Sequence, residues 1–254
     1  MQVQVLGSYG SRAPGFYTSC LLVNGTLLLD AGTVTAALSL EEQAAVDDVL
    51  LTHAHLDHMV DLAFLVDNCL LRRSSPLRVW APAPVLETVH RHIFNNTVWP
   101  DFTRLPEPAA PALELIPLEV GREREISGLR VCWRKVNHPV FTAGYRLSGE
   151  GSSILFSGDT GSTDDFWEMG RTCPEIKAVF VETSFPNRLS ELADASGHLT
   201  PASLRDELIK FDRADVPVKI FHMKPQFLQE ILAELNSLGD DRLQVLEGGE
   251  KFLF

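Results

Sequence analysis

Thr52-His53-Ala54-His55-Leu56-Asp57-His58 sets three imidazoles and a carboxylate within six residues, directly after the apolar run Val46-Asp47-Asp48-Val49-Leu50-Leu51. The run reads as a short buried strand and Leu56 to Leu71 as an amphipathic helix, so the four polar groups fall on the turn between them. His53 and His55, two apart on extended backbone, project to one side and suit one metal ion. Asp57 and His58 open the helix, point elsewhere, and suit a second ion a few ångströms away. Hydrogen-bonded histidines at a strand end are the plain alternative, but four donors this close favour a metal site.

Working outward, further donors stand at predicted strand ends. Asp30 ends a hairpin strand, and His138, Asp159 and His222 each close another strand. Singly, each is read as a residue satisfying nearby backbone. Jointly they complete a set of about seven protein donors for two divalent ions. His53, His55 and His138 are assigned to one ion, Asp57, His58 and His222 to the other, and Asp159 to a bridge. Asp30 is placed behind them, as the acceptor that orients a ligand histidine.

The rest of the chain fits a layered fold. Met1 to Leu6 alternates as a strand. Ser19 to Val23 and Thr26 to Asp30, joined by Asn24-Gly25, form a hairpin. Helices are expected at Val34 to Ala45, Pro84 to Phe94, Ser162 to Met169, Ser203 to Phe211 and Pro225 to Leu238. Strands are expected at Leu77 to Ala81, Leu113 to Leu118, Leu129 to Val136, Gly144 to Leu147, Ser153 to Phe156, Ala178 to Glu182 and Lys219 to His222. Two halves of β-then-α character predict an α/β αββα sandwich, two sheets face to face with helices outside, forming one domain over 1–254.

Composition mainly excludes. With 254 residues, 45% hydrophobic and 22% charged, the chain can form a sizeable core. A net charge of −12 disfavours nucleic acid as a partner, because neither Arg72-Arg73 nor the scattered bases from Arg130 to Lys135 makes a basic stripe. No apolar run is long enough to span a bilayer. The N-terminus does not read as a signal peptide, and Cys20, Cys69, Cys132 and Cys173 form no CxxC pair. A cytoplasmic protein with reduced core cysteines is expected.

His53-Ala54-His55-Leu56-Asp57-His58, followed in order by His138, Asp159 and His222, resembles the metallo-β-lactamase superfamily. Within it, Ser157-Gly158-Asp159-Thr160-Gly161, Glu182-Thr183-Ser184-Phe185-Pro186-Asn187, Gly197-His198-Leu199-Thr200-Pro201 and His222-Met223-Lys224-Pro225 are similar to the class II cyclic-nucleotide phosphodiesterases. One departure stands out: where that family has glycine shortly after the first motif, this chain has Asp61.

The resemblance implies hydrolysis of 3′,5′-cyclic nucleotides, cAMP or cGMP, to 5′-nucleotides by a metal-bridging hydroxide oriented by Asp57. Zinc is the expected metal, with manganese and iron compatible with the same donors. His198 matches the non-ligand histidine that protonates the leaving group, with Glu182 orienting it. Thr200-Pro201 also reads as a helix N-cap beside it. A homodimer is implied as well.

The proline-rich excursion from Asn95 to Pro111 offers Asn96, Trp99 and Phe102 as residues that could hold a flat base, although a satellite apolar cluster or a dimer contact accounts for them equally. His90 and His92 read as surface residues. The nearest rival function is a tRNase Z-like RNA 3′-processing endonuclease; only 38 residues separate Asp159 from His198, leaving little room for an RNA-binding arm. A thioester or lactone hydrolase on the same scaffold is a third reading. A non-catalytic scaffold is expected to have lost ligands, and none is missing.

Overall fold

A computed structural model describes residues 1–254. Strand β1 (Gln2–Gly7) leads to the hairpin β2 (Cys20–Val23) and β3 (Leu27–Leu29), closed by Asn24 and Gly25, both with positive φ. Helices α1 (Val34–Ala37) and α2 (Leu40–Ala44) follow, then β4 (Asp48–Leu50), α3 (Leu56–Cys69), β5 (Leu77–Ala81) and α4 (Ala83–His92). After the minor pair β6 (Pro106–Glu107) and β7 (Ala110–Pro111), β8 (Leu113–Pro117) completes the first half. The second half holds β9 (Arg124–Ile126), β10 (Leu129–Lys135), β11 (Ala143–Gly149), β12 (Ser152–Phe156), α5 (Asp165–Arg171), β13 (Ile176–Glu182), α6 (Ser190–Ser196), α7 (Pro201–Phe211), β14 (Val218–Phe221), α8 (Leu228–Ser237), β15 (Leu243–Val245) and β16 (Lys251–Leu253).

Two seven-stranded sheets result, in the orders β16-β1-β2-β3-β4-β5-β8 and β15-β14-β13-β12-β11-β10-β9. In each, antiparallel pairing gives way to parallel pairing, at β3–β4 and at β12–β13. The alternation of side chains along a strand then sorts the core into layers. Leu27, Leu29, Leu50, Tyr145, Phe156, Phe180 and Phe221 pack between the sheets. Leu28, Val49 and Leu51, their sequence neighbours, face the other way and meet Leu62, Leu65 and Val66 of α3. Leu155, Val179 and Ile220 pack against Trp167 of α5 and Leu204, Leu208 and Phe211 of α7. Three apolar layers between four layers of structure make the αββα sandwich expected from the sequence.

Three features depart from the expected elements. The helix expected over Val34 to Ala45 is broken, because Ser39 starts a new one: its hydroxyl accepts the Glu42 amide and the Glu42 carboxylate accepts the Ser39 amide. Helix α6 and strands β15 and β16 have no counterpart in the expectations, being short and half exposed, with weak periodicity. Finally, Asp61 is buried and ties two helices together. Its Oδ2 accepts from the Thr35 amide at 2.9 Å and the Thr35 hydroxyl at 2.6 Å, anchoring α1 to α3. The carboxylate thus fills a specific bonding role at the position where the resemblance leads one to expect glycine.

Candidate metal centre

The strands β3, β4, β10, β12, β13 and β14 all end at one edge of the sandwich, and the residues following them converge there. That is where ligand sites form in sheets of this kind, since the loops leaving parallel strands gather at their C-terminal ends. Asp30, Thr52 to His58, His138, Asp159, Glu182 and His222 arrive on six separate segments. Close backbone approach is needed to fit them. A Cβ on Gly32 would lie 2.1 Å from the Asp57 carbonyl, and one on Gly10 2.5 Å from the His222 carbonyl, so only glycine lets these loops lie against the ligand-bearing segments.

Ligating atoms fall into three overlapping groups, one of them Asp159, His198 and His222. His53, His55, His138 and Asp159 place one donor atom each within 4.8 Å of one another, and so do Asp57, His58 and His222. Asp159 spans both: its Oδ2 lies 3.6 Å from His53 Nε2, and its Oδ1 lies 3.2 Å from both His58 Nε2 and His222 Nε2. The structure therefore brings together all seven residues expected as ligands.

Hydrogen bonds behind the cluster define which nitrogen faces inward. His58 Nδ1–H donates to Asp30 Oδ2 at 2.7 Å, and His138 Nδ1–H donates to the Gly197 carbonyl at 2.9 Å. Thr52 donates its hydroxyl proton to Asp30, so its oxygen accepts from His53 Nδ1–H at 2.9 Å. Ser184 donates to Glu182 Oε2 at 2.9 Å, so its oxygen accepts from His222 Nδ1–H at 2.9 Å. In each of these four rings, an outer acceptor takes the Nδ1 proton and leaves the Nε2 lone pair aimed into the cluster. His55 is turned the other way, with Nδ1 3.3 Å from His138 Nε2.

Acceptors thus converge on acceptors. His58 Nε2 and His222 Nε2 are 3.0 Å apart, with Asp57 Oδ2 3.2 Å from the latter. The buried His53 Nε2 and Asp159 Oδ1 have no hydrogen-bond partner of acceptable geometry. Such an array is repulsive unless a positive charge sits at its centre, which is the chemistry of a cation site. The cluster can hold metal ions, and imidazole with carboxylate is a donor set that suits zinc.

Charge states follow the same logic. Burial pushes His53, His55 and His138 below the ordinary histidine value, leaving neutral rings with free lone pairs. His58 is the exception: burial acts the same way, but Asp159 and Asp30 outweigh it and raise the ring well above that value, so at its Nε2 a proton competes with a cation. Burial would raise Asp57, yet the closeness of His222 and His58 to its Oδ2, at 3.2 and 4.0 Å, holds it well below the usual carboxylate range.

Beside the cluster, His198 Nδ1–H donates to Glu182 Oε1 at 2.6 Å. Burial disfavours its charged form, and the Glu182 carboxylate more than offsets this, lifting the ring above its ordinary value. Thr200 caps α7 with Pro201 in its first turn, fixing the segment that carries His198. Ser184 and Thr52 are the participants the sequence reading did not single out. Their signal was adjacency, Thr52 beside His53 and Ser184 two residues beyond Glu182, but a hydroxyl's partner is set by tertiary contact.

The excursion residues are placed differently from one another. Phe102 is buried in the core against Phe94, with ring centroids 6.4 Å apart, and has no face to offer a ligand. Its expected stacking role is corrected on that ground. Asn96 commits Oδ1 to the Asp101 amide at 2.9 Å, which closes a turn and withdraws that acceptor from base reading. Trp99 is half-buried, edge-to-face with Phe64 at 5.2 Å. His90 faces Asp101 at 3.4 Å, away from any metal donor.

The fold and the sequence both match known proteins. A "Probable 3′,5′-cyclic-nucleotide phosphodiesterase" of Yersinia pestis is 26% identical, aligned over 100% of this chain and 89% of its own. The "3′,5′-cyclic-nucleotide phosphodiesterase 1" of Saccharomyces cerevisiae is 26% identical over 82% of this chain and 68% of its own. The crystal structure of yeast PDE1 superposes with a TM-score of 0.82 at 19% identity, covering 99% of each chain. The family model described as "Beta-lactamase superfamily domain" matches residues 26–243, from the hairpin strand β3 to β15, and the chain therefore belongs to that superfamily.

Proposed function

We propose that this chain is a dinuclear metal-dependent phosphodiesterase that hydrolyses 3′,5′-cyclic nucleotides to 5′-nucleotides. The observation that carries the reading is the pairing of a two-part cation cluster with a separate histidine, His198, held toward its charged form by Glu182. Cleaving a diester requires charge neutralisation at phosphorus and a proton for the departing alkoxide, and the two halves of the site suit those two needs.

His53, His55, His138 and Asp159 are assigned to one ion, and Asp57, His58, His222 and Asp159 to the other. Bound divalent ions supply a water that is acidic at neutral pH and neutralise charge on phosphoryl oxygens. Asp57 orients that water for in-line attack on phosphorus. Water adds across the P–O3′ bond: its oxygen stays on phosphorus, the proton it loses passes to solvent, and O3′ leaves with the electron pair. His198 donates its proton to O3′, and Glu182 holds the imidazolium in place until it does. The relatives named as cyclic-nucleotide phosphodiesterases support this substrate class. Between Asp159 and His198 the chain is occupied by α5, β13 and α6, which is compatible with a small substrate and provides no extended arm for RNA.

The test is hydrolysis of cAMP, cGMP, 2′,3′-cyclic nucleotides, bis(p-nitrophenyl) phosphate and precursor tRNA, with and without chelator, alongside metal analysis. About two ions per chain and chelator-sensitive release of 5′-nucleotide are expected. Cleavage of the tRNA with none of the cyclic nucleotides would replace this reading with the endonuclease one. The accompanying homodimer is tested by light scattering on the same sample.

A further inference from the structure

Ser184 is fully buried where the metal cluster meets the Glu182–His198 pair. Its Oγ lies 2.9 Å from His222 Nδ1, 2.9 Å from Glu182 Oε2, and 3.2 Å from both His198 Nδ1 and the His222 carbonyl. A hydroxyl has one proton and two lone pairs, so it donates to only one of these groups at a time. Which group receives that proton depends on His222, since a neutral imidazole also carries a single proton. When Nε2 holds it, facing Asp57 Oδ2 and Asp159 Oδ1 at 3.2 Å each, Nδ1 is an acceptor and draws the Ser184 proton away from Glu182. When Nε2 gives its lone pair to a cation, Nδ1–H donates to Ser184, and the hydroxyl proton goes to the Glu182 carboxylate.

The second arrangement is the one that steadies Glu182 against His198. Glu182 Oε1 receives His198 Nδ1–H at 2.6 Å and the Thr160 amide at 3.1 Å. Oε2 receives the Ser184 hydroxyl at 2.9 Å and, apart from it, only the Leu199 amide at 3.4 Å. With the Ser184 proton turned elsewhere, one long bond holds the far oxygen, and the carboxylate is freer to rotate away from the imidazole. Ser184 is also the one side chain that hydrogen-bonds both to a metal-ligand histidine and to Glu182. Polarisation passes along such a chain of bonds, so the state of His222 is felt at His198.

We propose that Ser184 couples the two halves of the site: a cation on His222 fixes the Ser184 proton on Glu182 and thereby aligns His198 for proton transfer to the leaving oxygen. The identity of that oxygen rests on the phosphodiesterase reading; the coupling rests on the hydrogen bonds alone. Ser184 acts through Glu182 and His198, which makes it a positioning residue. Its effect is therefore concentrated on leaving groups that need a proton. The alkoxide O3′ needs one, whereas the aryl oxide released from bis(p-nitrophenyl) phosphate is a weak base and departs without it.

The test combines NMR of the isotope-labelled histidines, metal-free and zinc-loaded, with kinetics at verified zinc saturation, in the wild type, Ser184→Ala and Ser184→Thr. In the wild type, zinc should shift and sharpen the signal of the His198 Nδ1 proton, and Ser184→Ala should lose that response. The alanine variant should lose about 10- to 100-fold more kcat on the cyclic nucleotide than on bis(p-nitrophenyl) phosphate, a part of the 10²- to 10⁴-fold that a general acid supplies, with KM unchanged. Ser184→Thr keeps the hydroxyl and should recover most of the difference. In a His198→Ala background, adding Ser184→Ala should discriminate no further between the two diesters. Equal losses on both diesters, a difference that persists without His198, or a zinc response of His198 that survives in Ser184→Ala overturns the coupling. So does a wild-type His198 signal that zinc leaves unchanged, whether or not the variants fold. If no cyclic nucleotide is hydrolysed, the phosphodiesterase reading falls, and the NMR response still decides the coupling.

Discussion

His198 Nδ1 and Glu182 Oε1 lie 2.6 Å apart, and the same carboxylate also receives the Thr160 amide at 3.1 Å and the Ser184 hydroxyl at 2.9 Å. Glu182 is thus a fully engaged, buried anion that cannot turn away from the imidazole it faces.

Replacing His198 by alanine should lower kcat on the cyclic nucleotide about 10²- to 10⁴-fold, the range for loss of a general acid, with metal content unchanged. Elemental analysis of the variant is the deciding measurement, because His198 also falls within donor distance of Asp159 and His222. Loss of an ion would make it a ligand. In Glu182→Gln the charge that favours the imidazolium is gone, so His198 loses its proton at lower pH and the alkaline limb of the kcat profile moves down. An unmoved limb removes His198 as the acid.

Asp30 reaches the metal centre only through His58 and Thr52. Its backbone has a φ of 58°, which asparagine tolerates better than most residues, so Asp30→Asn should fold. Its amide gives His58 a weaker acceptor, and affinity for one of the two ions should fall about 10- to 100-fold. Competition titration against a zinc chelator reads this directly; unchanged affinity would deny Asp30 its orienting role.

Stripping the metal should abolish hydrolysis and also lower thermal stability. An ion at 100 times its dissociation constant stabilises the folded state by about 2.7 kcal/mol. For a chain of this size that corresponds to a fall in Tm of about 5–10 °C on chelation. Identical melting curves with and without chelator count against a metal at this cluster.

Away from the site, Asp48 predicts behaviour in acid. Burial would raise its carboxyl, but bonds from Arg78, Ser127 and Trp80 outweigh it and hold the group below its ordinary value of 3.8. A depressed folded value means that the stabilisation is complete above about pH 4 and is lost as pH falls through the folded value. Asp48→Asn, which leaves at least one of those donors without its anionic acceptor, should cost about 1–3 kcal/mol at neutral pH. It should also flatten the acid limb of stability. Denaturant melts at pH 7 and pH 3.5 provide both numbers.

Much of this protein was legible in local pattern. The alternation in Leu27-Leu28-Leu29 cannot be seen in the letters, yet the runs bounded by Asn24-Gly25 and by the His53 to His58 turn located β3 and β4. Thr200-Pro201 announced the start of α7. For Phe102 the sequence left base stacking and an apolar cluster equally open, and the fold chose the cluster by packing the ring against Phe94.

The sequence by itself determined the candidate donors and their order. His53, His55, Asp57 and His58 are close in the chain, so strand and helix periodicity alone turns the first pair and the second pair to different sides. Only the tertiary structure decided how those donors are presented. Three of the four inward lone pairs depend on an outer partner far away in the chain: Asp30 for His58, Gly197 for His138, Ser184 for His222. It also decided that Asp61 would stand between Thr35 and Arg12. A hydrogen bond is directional and short in range, so the sequence names the groups that can make it and the fold chooses which ones meet.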